Sequence, residues 1–154
     1  MRTIVIIFIT ISLIVPVLAR QADEYETVSQ QKVRFASLHI YLDSGSRALA
    51  AYQFELKATA GEVKIVGIEN GEHPAFDEPP YYDPAAMAND RIIIAAFSTG
   101  KDLPKGRTRI ASIQLQIIGD VEPEYALELT VAGDANGNEI PAKISYEKGD
   151  KNEN

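Results

Sequence analysis

Segment after segment of this chain alternates apolar and polar side chains with a period of two. Ala50, Tyr52, Phe54, Leu56 and Ala58 interleave with Ala51, Gln53, Glu55 and Lys57. Ala111, Ile113, Leu115 and Ile117 interleave with Ser112, Gln114 and Gln116, and Tyr125, Leu127, Leu129 and Val131 with Ala126, Glu128 and Thr130. In an extended strand successive side chains point to opposite faces, so each segment presents one face to a core and one to water. An apolar sheet face must be buried against another layer. With no sustained helical period anywhere, that layer is a second sheet, which makes the expected fold a β-sandwich.

The remaining strands fit the same plan. Val33–Leu42 and Arg91–Phe97 are apolar on much of both faces, and the latter reads as a central strand. Val63–Ile68 and the run Ile140, Ala142, Ile144, Tyr146 complete the set. Turn residues separate them: Asp43–Arg47, Gly61, Asn70-Gly71, Thr99–Gly106, and Gly133–Asn138 with its Asn-Gly pair. Roughly seven to nine short strands punctuated by turns indicate a single all-β sandwich. It is placed at residues 33–146, after a polar lead-in at 20–32 and before a charged tail at 147–154.

The chain opens with Met1-Arg2, an apolar run from Ile4 to Val15 broken by Thr10 and Ser12, and Pro16-Val17-Leu18-Ala19. A positive start, an apolar stretch and small residues before a cut form a secretory signal, with cleavage expected after Ala19. The run is shorter than the roughly 20 residues of a membrane span, and Pro16 interrupts a helix there. Membrane attachment is therefore expected only if the signal stays uncleaved. Residues 1–19 carry one Arg and no acid, so their removal takes the net charge from −7 to −8. An acidic exported chain, whether secreted, periplasmic or at the cell surface, is unsuited to nucleic acid. It has no Cys, which excludes disulfides, thiolate catalysis and Cys-ligated zinc.

One stretch breaks the pattern. Residues 71–90, GEHPAFDEPPYYDPAAMAND, hold prolines, carboxylates and aromatics with no period. Asp83-Pro84 fits the cap and first position of a short helical turn, expected near 84–89. Asp77, Glu78 and Asp83 suggest the paired carboxylates of glycoside hydrolysis, but nothing separates their environments, and they read as solvated loop acids. Phe76, Tyr81 and Tyr82 are candidate binding residues, since exposed aromatics give large contact areas to a protein or a sugar ring. The competing role is to fold back over the sandwich.

The order of elements resembles a cohesin domain, the dockerin-receiving module of bacterial cellulosomes. The resemblance rests on Tyr52–Leu56, Gly61–Gly71, Asp90–Ser98, Ile110–Ile117 and Asp134–Ile140. It implies a jelly-roll sandwich of about nine strands and a protein partner of the dockerin kind. That fold is shared with some carbohydrate-binding modules, so polysaccharide is the alternative ligand. Where cohesins carry a Tyr-Asp-Pro-like turn after the second strand, this chain has Lys57–Gly61, and a Tyr82-Asp83-Pro84 stands in the irregular stretch instead.

Other chemistry is sparse. His39 and His73 are the only histidines, without HExxH spacing, so no cofactor or zinc site is expected. Asp134 and Asn136 resemble the start of a calcium loop, but the sixth and twelfth positions hold Glu139 and Ser145 where an EF-hand needs Gly and Glu. A hairpin turn is the better account. The polar faces carrying Gln53, Glu55, Gln114 and Gln116 are the remaining candidate binding surfaces. The expected function is non-catalytic binding.

Overall fold

The computed structural model describes residues 31–149; the signal segment 1–19, nearly all of the lead-in and residues 150–154 lie outside it. Eight strands are present among the described residues: β1 (Val33–Asp43), β2 (Ala51–Ala60), β3 (Glu62–Glu69), β4 (Tyr81–Tyr82), β5 (Arg91–Phe97), β6 (Arg107–Ile118), β7 (Glu124–Gly133) and β8 (Lys143–Lys148). They form two four-stranded sheets, ordered β3-β6-β1-β8 and β4-β5-β2-β7. Single 3-10 turns at Pro74–Phe76 and Pro84–Ala86 interrupt the irregular stretch, the second where a helical turn is expected.

Among the antiparallel ladders are β1 with β8, β2 with β7, β3 with β6 and β4 with β5. This nesting is one long hairpin rolled into two layers, which is jelly-roll topology. The eighth strand carries Glu147 and Lys148 within the sheet, where the sequence assigns them to the tail. Their side chains reach Arg107 at 2.7 Å and Glu122 at 2.7 Å. The closing strand also starts later than expected, at Lys143, and Ile140 is buried just after an isolated bridge between Gly133 and Glu139.

The apolar rows meet as the alternation requires. Leu38, Ile40, Leu42, Ile65, Ile113, Leu115 and Ile117 from one sheet face Tyr52, Phe54, Leu56, Ile92 and Ile94 from the other, all nearly or fully buried. Burying each such side chain contributes about 1.5–3 kcal/mol before entropy is counted. Strand β5 lies inside its sheet, between β4 and β2, and is apolar on both faces, as expected of a central strand. Ile92 and Ile94 are buried, whereas Ile93 and Phe97 are exposed, because only one face of a two-layer sandwich is covered.

Bulges alter the phase. The register of β6 on β1 skips Ile110, passing from Ala111 opposite Ile40 to Arg109 opposite Tyr41. Ile110 and Ala111 are therefore both buried. Similar skips leave Val66 out of the β3 register with β6, and Thr130 and Thr59 out of the register between β7 and β2. The Ile110 carbonyl accepts a 2.9 Å hydrogen bond from the Tyr52 hydroxyl of the facing sheet. A buried acceptor left without a donor would cost about 1–3 kcal/mol, so this bond fixes Tyr52 and ties the two layers together.

Burial pushes the Tyr52 phenol well above its ordinary range. Half-burial, with Glu122 nearby, pushes Tyr125 up to about 12. An unfolded tyrosine loses its proton near pH 10. The stability these phenols contribute is therefore complete below about pH 10 and declines as pH rises beyond it. Tyr52→Phe is expected to lower stability by about 1 kcal/mol at neutral pH and to flatten the alkaline decline. Chemical denaturation across that pH range measures both effects.

Candidate functional site

The stretch 71–90 is ordered by its own backbone. The Gly71 N–H donates to the Phe76 carbonyl at 2.8 Å, and the Glu72 N–H donates to the Arg109 carbonyl at 3.0 Å. Glu72 Oε1 in turn accepts from the Arg109 N–H at 2.8 Å, so the stretch is pinned on the β6 bulge. His73 Nδ1 accepts from the Ala75 N–H at 3.1 Å and caps the first 3-10 turn. Asp83 Oδ1 does the same for the second, from Ala85 at 2.9 Å. Asn70 Nδ2 donates to the Asp77 carbonyl at 2.8 Å. At the far end the Ala88 N–H donates to Ile65 O, and Ile65 N–H donates to Asn89 O, closing the β3 edge.

This scaffold sorts the three aromatic candidates. Phe76 folds back and is buried, its ring edge-on to Tyr52 with centroids 5.1 Å apart. Tyr82 is half-buried against the core. Tyr81 points outward, 66% exposed, and stacks on Phe97, itself 63% exposed, with centroids 6.0 Å apart and planes 8° from parallel. The two belong to a diagonal cross-strand pair, since Tyr81 opposes Ala95.

Around the pair lies the outer face of the β4-β5-β2-β7 sheet. One cross-strand row runs Tyr81, Ala95, Gln53, Val131, and the next runs Phe97, Ala51, Gly133. On the other side of the first row, Ile93 opposes Glu55, which opposes Glu128. Small residues at Ala95, Ala51 and Gly133 leave the two rings standing proud. Ile93 and Val131 extend the apolar patch, both 44% exposed. Glu55 closes one flank through a bidentate pair with Arg91, both contacts 2.7 Å. The Arg91 hydrogen bond holds the Glu55 carboxyl below its usual range.

The structure thus brings Tyr81, Gln53 and Glu55 together and leaves Gln114 and Gln116 on the opposite sheet. There Gln114, but not Gln116, belongs to a network of side-chain contacts among the described residues. Ser37 Oγ donates to Gln114 Oε1 at 2.6 Å, and Gln114 Nε2 donates to Glu69 at 3.0 Å. His39 Nδ1 lies 2.9 Å from Ser112 Oγ, which accepts from Arg109 Nη1 at 2.6 Å. Ser112 is fully buried, so this Ser-His contact offers no nucleophile to a substrate. Phe35 is another exposed aromatic, on that second face near the start of the described residues.

Phe97 and Ile93 are surface groups that the sequence does not single out, and Val131, expected in the core-facing row of Tyr125, Leu127 and Leu129, is turned outward by the skipped Thr130. The signal lies in the phase of the strand: Arg91, Ile93, Ala95 and Phe97 share one face of β5, but an apolar neighbour on each side hides which face is covered.

Asp134 serves its turn. Its Oδ1 accepts from the Asn136 and Asn138 N–H groups at 2.9 and 3.0 Å, and its Oδ2 receives Arg47 at 3.2 Å. Asn136 contributes its backbone to this turn. Among the described residues no three His, Asp or Glu side chains gather around a point that could hold a metal ion. No family model matches the chain, and neither curated proteins nor solved structures give a match.

Two outcomes are expected. A Cβ at Gly71 would sit 2.8 Å from the Arg109 carbonyl oxygen and 3.1 Å from that of Ile110, and backbone there cannot yield cheaply. Gly71→Ala should destabilise the fold by about 2 kcal/mol, with faster amide exchange across residues 72–78. Separately, hydrogen bonds from Asn138, Lys148 and Arg91 depress the Asp134, Glu122 and Glu55 carboxyls respectively. Depressed folded values mean the unfolded chain binds protons first as pH falls. The stability these carboxyls contribute is present above about pH 4 and is lost as pH drops through the folded values. Thermal melts from pH 7 to pH 2 should show the loss, reduced in Asp134→Ala.

Proposed function

We propose that this chain is an exported, non-catalytic binding module whose ligand is a protein docked on the outer face of the β4-β5-β2-β7 sheet. The observation that carries this reading is the exposed Tyr81–Phe97 stack with Ile93 and Val131 around it. Contiguous exposed apolar patches on a domain surface mark interaction sites, and aromatic anchors dominate binding energy when a partner excludes water from them. The opposite face supports the choice by contrast, because Ser37, Gln114, Glu69, Arg109 and Ser112 there are committed to one another and its exposed aromatic, Phe35, has no stacking partner among the described residues. The irregular stretch contributes to the module as scaffold: it carries Tyr81 to the sheet edge and caps its own turns with His73 and Asp83. The leader-like start of the sequence supports export, and the cohesin resemblance favours a dockerin-like partner.

The glycan alternative uses the same two rings, so one variant series separates the readings. Immobilised protein is offered the secreted fraction of the cells that make it, and polysaccharides are screened by affinity electrophoresis. Phe97→Asp should weaken capture of the protein partner about 30-fold, the equivalent of losing a hot spot near 2 kcal/mol. Gln116→Glu on the other sheet should leave capture unchanged. Retardation on a glycan gel that Tyr81→Ala abolishes, with no protein captured, would replace the protein reading by the polysaccharide one.

A further inference from the structure

The end of the face nearest Phe97 opens into a slot of about 340 Å³ between the first 3-10 turn and the end of β5. Tyr81 and Phe97 give it aromatic surface beside the buried Phe76, and Asp77 and Glu78 give it charge, with Pro79 between them and the β4 strand. Both carboxylates are exposed, and neither has an ion-pair partner among the described residues. Lys101, just beyond the slot's Gly100, pairs with neither. The backbone of the loop around them is already fixed: Asn70 holds the Asp77 carbonyl and Gly71 holds the Phe76 carbonyl. Little ordering is then left to oppose binding.

We propose, resting on the protein-docking reading above, that this slot takes an arginine side chain of the partner. The charge complementarity is direct: two free carboxylates beside an aromatic stack, in a chain of net charge −7. A planar guanidinium lies flat on an aromatic ring while its N–H edge forks toward carboxylate oxygens, a geometry the compact lysine ammonium does not match. The slot sits at the edge of the apolar patch, so an arginine there sets the orientation of a partner whose apolar contacts fall on Phe97 and Ile93.

The test is amide chemical-shift mapping on the isotope-labelled protein with N-acetyl-L-arginine methylamide as the probe and its lysine counterpart as comparison. The arginine probe is expected to give saturable shifts confined to residues 75–78 and 97–100. The lysine probe should bind about threefold more weakly. Asp77→Asn combined with Glu78→Gln should weaken arginine binding about tenfold while leaving the spectrum elsewhere unchanged. Equal response to the two probes would overturn the proposal, as would shifts scattered over carboxylates on both sheets or no shift at all. Each of those results leaves the docking face itself standing, because that reading falls only if Phe97→Asp fails to weaken partner capture.

Discussion

The skipped residue Ile110 in β6 is the point on which the two layers and the irregular stretch converge. Its insertion turns the β6 phase so that both Ile110 and Ala111 enter the core. Its carbonyl is reached from the facing sheet by Tyr52. The carbonyl of its neighbour Arg109 is reached by the Glu72 N–H. Gly71 packs so closely there that a side chain would meet both carbonyl oxygens. A bulge re-aims backbone groups that a regular ladder would have used, and here the re-aimed groups become the anchor for the chain that leaves β3.

From that anchor the position of the exposed aromatic pair follows step by step. Glu72 and the His73-capped turn drive Phe76 under the sandwich against Tyr52. Asn70 holds the next carbonyl, and the Pro79-Pro80 pair, with its restricted dihedrals, delivers Tyr81 to the β5 edge opposite Ala95. Tyr81 meets Phe97 because Phe97 has only small cross-strand neighbours, Ala51 and, beyond it, Gly133. The two outer faces of the sandwich thus differ for a physical reason. One is largely a hydrogen-bonded lattice of Ser37, Gln114, Glu69, His39, Ser112 and Arg109, with a lone exposed aromatic, Phe35, beside it. The other carries the stacked Tyr81–Phe97 pair, with Ile93 and Val131 beside it, in water.

The layers were legible in the residues themselves. The alternation around Phe54, Leu115 and Leu127 states which side chains face inward, and the Asn-Gly turn after Gly133 states where the chain reverses. The phase changes were less so. Thr108 and Ile110 follow one phase and Ala111 and Ile113 the other, a break that marks the bulge, yet it reads as noise when alternation is sought from Ala111 onward. The proposed docking face was half legible: Tyr81, Gln53 and Glu55 stand out by type, but Phe97 looks like core. Isoleucines and alanines on both sides of β5 carry no information about which face the second layer covers. The placement of Gln53 and Gln114 on opposite sheets was not readable either, because alternation within a strand says nothing about which sheet it joins.

The irregular stretch also protects the sandwich it decorates. Exposed sheet edges invite pairing with other chains, and three features here oppose that. Ala88 and Asn89 occupy the β3 edge through bonds to Ile65 in both directions. Strand β4 is only two residues long, and Pro84 follows it almost at once, so the β5 edge offers a foreign strand no long run to extend. Ala88 adopts a positive φ of 65° to make its contact, a left-handed conformation that costs a non-glycine residue roughly 1–2 kcal/mol. That strain persists because the hydrogen bonds on either side of it over-determine the backbone. The stretch from Gly71 to Asp90 thus closes the β3 edge and shortens the β4 edge with one continuous piece of backbone, while it leaves the Tyr81–Phe97 pair exposed on the sheet face.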